Sequence, residues 1–195
     1  MAENGDDRKA DLERLHTAYD DIDTVLLFIG YPRSRHTLVS ALLDAHPNIM
    51  LSNELNLISF YKKSPELSKN QFFDKITSLS YFLATRGRRS KATNGTASDY
   101  VQLGYKVPNQ WQGTFDQTLK ILGDKVGWFT AALLSRETGR STLELLEYEY
   151  HVKGKFIHVI RNPFDNIATM ALRLLSLRLG EHAEKVRRHA RQKVI

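Results

Sequence analysis

Short unbroken apolar runs alternate with longer stretches in which apolar residues recur at helical spacing. The run Val25-Leu26-Leu27-Phe28-Ile29 is nearly continuous, the pattern of a strand covered on both faces, as in a parallel sheet. It predicts a strand over Thr24–Ile29. A helix follows from about Arg35 to Ala45, with Leu38, Leu42 and Ala45 on one face. His46-Pro47-Asn48 ends it, because proline disfavours helix in the preceding residue. A short strand, Ile49–Ser52, then delivers Glu54 at its carboxyl end. Residues 55–85 read as helical with an interruption near Lys63-Ser64-Pro65, and residues 86–100 as a polar, glycine-containing loop. Val101–Val107 reads as a strand with Lys106 near its end and Pro108 as its stop. Residues 114–150 read mostly as helix, broken around Gly123, Gly127 and Gly139. Lys155–Ile160 is another apolar strand, and Arg161-Asn162-Pro163 opens a long helix after it. Asparagine suits the cap of that helix and proline its first position. The helix carries Ile167, Met170, Ala171, Leu174 and Leu177 on its apolar stripe.

Strands alternating with helices predict an α/β domain, with helices flanking a central, mainly parallel sheet. Ligands of such sheets bind beyond the carboxyl ends of the strands. Arg33, Glu54, Lys106 and Arg161 all fall at or just after a predicted strand end. Residues 1–23 read as an acidic N-terminal tail or a loosely docked helix, leaving residues 24–195 as a single domain.

Composition excludes several classes. Hydrophobic residues make up 42% and charged residues 26%, ordinary values for a globular protein. No run approaches the roughly 18 apolar residues of a membrane span, and the first residues lack the pattern of a secretory signal. A cytoplasmic location fits these features. With no cysteine, disulfides, thiolate metal sites and cysteine nucleophiles are ruled out. The net charge of +6 hides an asymmetry, since residues 1–23 carry eight acidic and three basic side chains. Positive charge gathers in Arg86-Gly87-Arg88-Arg89-Ser90-Lys91 and again in Arg173, Arg178, Lys185, Arg187, Arg188, Arg191 and Lys193. Such a field attracts anions, although a solvated helix face and a basic loop account for the same pattern. No specific nucleic-acid partner is expected.

The segment from Gly30 to Thr37 joins a strand to a helix. The leading N–H groups of a helix have no internal partners, and with the positive end of the dipole they form an anion site. Arg33 adds a fixed positive charge, and Ser34 and Thr37 add hydroxyl donors. The nucleotide-binding pattern G-x-x-x-x-G-K-[ST] fits Gly30 and Thr37 but meets Arg35 and His36 where it requires glycine and lysine. No acidic strand end suited to hold magnesium is evident, so a kinase-like or nucleoside-triphosphatase reading is disfavoured.

The same segment, Gly30-x-Pro32-Arg33-Ser34-x-x-Thr37-Leu38 continuing through Leu43-Asp44-Ala45-His46-Pro47-Asn48, resembles the 5′-phosphosulfate-binding segment of the P-loop sulfotransferases. Arg161-Asn162-Pro163-Phe164-Asp165, with Thr169 eight positions after the arginine, resembles that family's 3′-phosphate site. The nearer branch is that of the protein-tyrosine and general sulfotransferases. The resemblance spans roughly residues 24–180 and implies a P-loop-containing nucleotide-binding fold. It implies transfer of a sulfuryl group from 3′-phosphoadenosine 5′-phosphosulfate to an acceptor hydroxyl or amine on a small molecule or protein, without a metal. On this resemblance Arg33, Ser34, Arg35, His36, Thr37, Arg161 and Thr169 bind the donor. Glu54 takes the position of a catalytic base, and Lys106, with Arg33, that of a cation at the transferred group. A donor anionic at both ends needs two separated cationic sites, and arginine's planar fork suits phosphate oxygens.

Plainer roles stand beside these. Glu54 also reads as a carboxylate at the N-terminus of the following helix, and Lys106 as a surface lysine. Asp165 reads as a local cap, His46 as a turn residue, and Trp111 and Trp128 as core rather than as pocket walls. Arg35 and His36 stand where the family carries glycine and threonine. They carry the alternative reading, a catalytically weak or inactive member that binds nucleotide or a protein partner. The chain also ends sooner after its last helix than the family's catalytic domains do, which suggests a truncated form, a fragment or a compact variant. Acceptor identity and oligomeric state are not legible.

Overall fold

The computed structural model describes residues 13–86, 88–90, 101–103, 105–172 and 174–175. Helical residues 13–18 (α1) run into a 3-10 turn at Tyr19–Asp21, followed by β1 (Thr24–Ile29), α2 (His36–Leu43) and β2 (Ile49–Asn53). Then come α3 (Leu57–Lys63), α4 (Lys69–Arg86), β3 (Arg88–Ser90) and β4 (Val101–Leu103). The remaining elements are β5 (Ile121–Lys125), α5 (Trp128–Leu134), α6 (Glu137–Tyr150), β6 (Lys153–His158) and α7 (residues 163–172).

Four strands form an all-parallel sheet in the order β2-β5-β1-β6, with β1 paired to both β5 and β6. Side chains alternate across the sheet, and each face has its own core. On one face Val25, Leu27, Met50 and Leu122 pack with Leu57, Phe72, Phe73, Ile76, Leu146 and Tyr150 from α3, α4 and α6. On the other, Leu26, Phe28, Ile49 and Leu51 meet Val39 and Leu43 of α2. Leaving β1 the chain turns toward β2, whereas leaving β5 it crosses back past β1 to β6. Such a reversal opens a crevice at the carboxyl edge.

Several expectations are corrected. Residues 114–150 are mostly helix, as α5 and α6, but β5, the strand between β1 and β2, also lies within them where no strand was expected. The strand expected over Val101–Val107 is limited to Val101–Leu103 and pairs antiparallel with β3 in a separate ribbon. β3 itself lies in the segment expected to be loop. The buried side of α2 holds His36, Ser40 and Ala41, while Leu42 is exposed. Polar groups can take that side because partners meet them. Just past the helix, Asp44, fully buried, accepts hydrogen bonds from the Leu51 N–H at 2.6 Å and the Ser80 hydroxyl at 2.8 Å. Packing also begins before residue 24. Tyr19 is fully buried, and its hydroxyl donates to Asp74 at 2.9 Å. Ile160, Phe164 and Ile167, around the start of α7, are largely exposed. Of the basic residues singled out above, Lys91, Arg173, Arg178, Lys185, Arg187, Arg188, Arg191 and Lys193 lie outside the described residues. Among the described residues, no helix is long and apolar enough to cross a membrane.

Candidate functional site

The loop after β1 reaches α2 through two left-handed, non-glycine residues, Arg33 (φ +66°) and Arg35 (φ +68°). This conformation costs an L residue roughly 1–2 kcal/mol, so surrounding contacts must hold it. Arg35, where glycine was the expected residue, thus adopts a glycine-like turn and keeps its side chain exposed. Ser34 is buried, and its hydroxyl donates to the Tyr31 carbonyl at 2.8 Å. Arg35 caps α2 with no side-chain hydrogen bond, which, among the described residues, leaves the leading N–H groups, Thr37 among them, for a ligand or water.

His36 fills the inside of this loop. Its Nε2 lies 3.2 Å from the Ile29 carbonyl, an acceptor only, so the proton sits on Nε2. A Cβ at Gly127 would stand 2.9 Å from His36 Cε1, so glycine there makes room for the ring. Burial lowers the His36 pKa, and the charges of Lys125 and His158 lower it further against the opposing Ile29 hydrogen bond. The unfolded chain therefore takes up a proton near pH 6.5 that the folded protein resists. Stability is expected to fall as pH drops below about 6.5, toward the depressed folded pKa. In His36→Asn the fall should be shallower. Thermal midpoints of the two proteins between pH 7.5 and 5 check this, and parallel curves would refute it.

The second segment closes onto the first. Arg161 Nη1 donates to the Thr169 hydroxyl at 3.0 Å and, across 128 residues of sequence, to the Arg33 carbonyl at 3.1 Å. Thr169 donates in turn to the Asp165 carbonyl at 2.7 Å. Among the described residues, Arg161 Nε and Nη2 have no protein acceptor, which leaves that side of the fork for an anion. Asn162 Oδ1 accepts from the Phe164 N–H at 3.0 Å and caps α7. Asn166, buried on α7, points Nδ2 at Ser34 Oγ at 3.4 Å. Sequence reasoning did not single out Asn166.

Glu54 stands just after β2 at φ +61°, and its Oε1 accepts from Lys125 Nζ at 3.1 Å. The Lys125 side chain is 6% exposed and that of Glu54 50%. The plainer role for Glu54, serving the N-terminus of α3, is filled by another residue. Fully buried Asp124 accepts from the N–H groups of Leu55, Asn56 and Leu57 and from the Ser52 hydroxyl. Burial pushes the Asp124 pKa up, and these four donors oppose the rise. Asp124 is the acidic strand end that the sequence reading did not find, and its carboxylate faces α3.

Lys106 is exposed and follows the antiparallel ribbon rather than a strand of the parallel sheet. Gln112 ties its segment to α2, donating to the carbonyls of Tyr105 and Ala41, each at 2.8 Å. The lysine at a parallel strand end beside Glu54 is instead Lys125. It was missed because its strand was read as helix, although the Ile121-Leu122 pair offered a short apolar signal. Trp111 and Trp128 are 37% and 53% exposed, not core, and Trp128 opens α5 directly after Gly127. Among the described residues, no group of three His, Asp or Glu could hold a metal ion.

No protein-family model matches this sequence, and no curated protein matches it. The site therefore rests on its own geometry. A helix N-terminus, two arginines from distant segments and a lysine–glutamate pair edge the sheet. Together they can hold an extended anion and offer a carboxylate to a proton beside it.

Proposed function

We propose that this chain is a sulfotransferase-like enzyme. It would transfer the sulfuryl group of 3′-phosphoadenosine 5′-phosphosulfate to a hydroxyl or amine of a small-molecule or protein acceptor. The observation that carries the reading is the bond pattern of Arg161, which joins Thr169 to the Arg33 carbonyl. It brings together the two segments that a donor with two anionic ends requires. In this reading the α2 N-terminus with Arg33, Arg35 and Thr37 faces the 5′-phosphosulfate, Ser34 and His36 shape that loop from inside through their bonds to the Tyr31 and Ile29 carbonyls, and Arg161 and Thr169 face the 3′-phosphate.

Transfer is an in-line displacement. The acceptor oxygen or nitrogen forms a bond to sulfur as the bond from sulfur to the 5′-phosphate oxygen breaks. Glu54 takes the acceptor's proton, and the electron pair of the broken bond leaves on the phosphate as 3′-phosphoadenosine 5′-phosphate. Negative charge grows on that leaving oxygen, and fixed cations there lower the barrier. Lys125 joins Arg33 in that role. Lys106, to which the resemblance gives this role, lies in a segment that Gln112 ties to α2 and not at the end of a parallel strand.

Calorimetric titration with adenosine 3′,5′-bisphosphate, set beside ATP with magnesium, tests the reading. The bisphosphate is expected to bind, and Arg161→Ala to weaken it by about 10–100-fold, the loss of charge-assisted bonds. Clear ATP binding with none of the bisphosphate would replace this reading with a kinase-like one.

A further inference from the structure

We propose that the loop before α2 and the helix α7 form one coupled anion-binding unit, in which filling either end raises the affinity of the other, and that Asn166 is the positioning residue that carries the coupling. The inference rests on the reading above, in which the two ends take the two anionic groups of one donor. Arg161 is the first link. Its Nη1 is shared between Thr169 Oγ1 and the Arg33 carbonyl. An anion on the open side of this guanidinium therefore fixes a group that also grips the loop backbone.

Asn166 is the second link. Its Nδ2 reaches Ser34 Oγ at 3.4 Å, a long contact, while the Ser34 proton goes to the Tyr31 carbonyl at 2.8 Å. Among the described residues, the buried Oδ1 of Asn166 has no hydrogen-bond partner. An unpaired buried amide oxygen opposes folding, so stability alone gives no reason for asparagine at this place. Its contact with Ser34 does. The loop also needs external support, since Arg33 and Arg35 both hold left-handed φ values that non-glycine residues disfavour. A ligand that pins Arg161 and α7 removes part of the ordering cost of the loop, and the next anion binds a site already arranged. By linkage the effect is reciprocal.

The full chain is titrated calorimetrically with adenosine 3′-monophosphate, in sulfate and in chloride at equal ionic strength. Inorganic sulfate serves as the probe for the loop. Sulfate is expected to tighten nucleotide binding about tenfold, within the usual range of coupling between sites. Asn166→Leu, nearly isosteric and free of the unpaired oxygen, should be at least as stable as the unaltered protein. Its coupling should nevertheless shrink to below about twofold, with affinity in chloride nearly unchanged. A residue of purely structural importance would not separate those readouts. Asn166→Ala serves as a second variant and should behave alike. Sulfate that leaves nucleotide affinity unchanged, or weakens it, overturns the coupling while the proposed function stands. Full coupling in both variants removes Asn166 from the role. If neither adenosine 3′-monophosphate nor the 3′,5′-bisphosphate binds, the coupling and the proposed function fall together.

Discussion

Asp124→Ala is expected to destabilise the fold by roughly 4 kcal/mol, because each buried donor left without an acceptor costs about 1–3 kcal/mol. The carboxylate accepts the Ser52 hydroxyl at 2.8 Å and the Asn56 N–H at 2.7 Å, with longer bonds from Leu55 and Leu57 at 3.1 and 3.3 Å. Alanine leaves the buried Leu57 N–H and the half-buried Leu55 and Asn56 N–H groups without this acceptor, while the Ser52 hydroxyl retains the Gly123 carbonyl at 3.1 Å. A domain of this size has only about 5–15 kcal/mol of net stability, so much of the folded population is at stake. Asp124→Asn retains one accepting oxygen and turns an NH2 group toward the other donors, so it should cost about half as much. Urea unfolding followed by far-ultraviolet circular dichroism gives both values from the shift in midpoint. An alanine variant within about 1 kcal/mol of the unaltered protein would mean that the donors find water or other partners. The consequence reaches the site, because Asp124 holds the chain from Leu55 to Leu57 and so fixes where Glu54 leaves β2.

The same strand shows why part of the molecule was illegible in sequence. β1 and β2 are announced by apolar runs and are buried along nearly their whole length, whereas β6, expected at Lys155–Ile160, runs from Lys153 to His158 at the sheet edge with its side chains exposed or half-buried. β5 is five residues long and contains Gly123, which reads as a helix break, and Asp124, a residue uncommon in strands. Gly123 is required by proximity: a Cβ there would stand 2.2 Å from the Leu26 carbonyl of the neighbouring strand. Asp124 is tolerated because the turn into α3 supplies its donors. Neither reason can be read before the strands are placed side by side. Arg33, Arg161 and Thr169 were legible because each sits in a contiguous motif. Lys125, Asn166 and the pairing of Glu54 were not, because they depend on which strands and helices become neighbours. The periodicity of α2 located the helix but not its buried side, where His36 and Ser40 replace the expected leucines.

If the proposed sulfuryl transfer is this chain's reaction, Glu54→Gln is expected to lower its rate by about 10²–10⁴-fold, the usual contribution of a general base. Glutamine keeps an oxygen for Lys125 at the position of Oε1, so the buried ammonium is not stranded and the fold should be retained. What disappears is the ability to take the acceptor's proton as the new bond to sulfur forms. Donor binding is expected to hold or tighten, because a neutral amide competes less than a carboxylate for the Lys125 charge. Lys125→Met removes the cation instead and should weaken both donor affinity and turnover, the signature of a group that meets the leaving phosphate. Radiolabelled transfer from 3′-phosphoadenosine 5′-phosphosulfate to a panel of tyrosyl peptides, phenols and amino sugars gives the rates. Titration with adenosine 3′,5′-bisphosphate gives the affinities. Unchanged turnover in Glu54→Gln would leave Glu54 only as the partner of Lys125 and require the acceptor's proton to leave by another route. Loss of donor affinity in that same variant would instead mean that the carboxylate's role is to hold Lys125 in place.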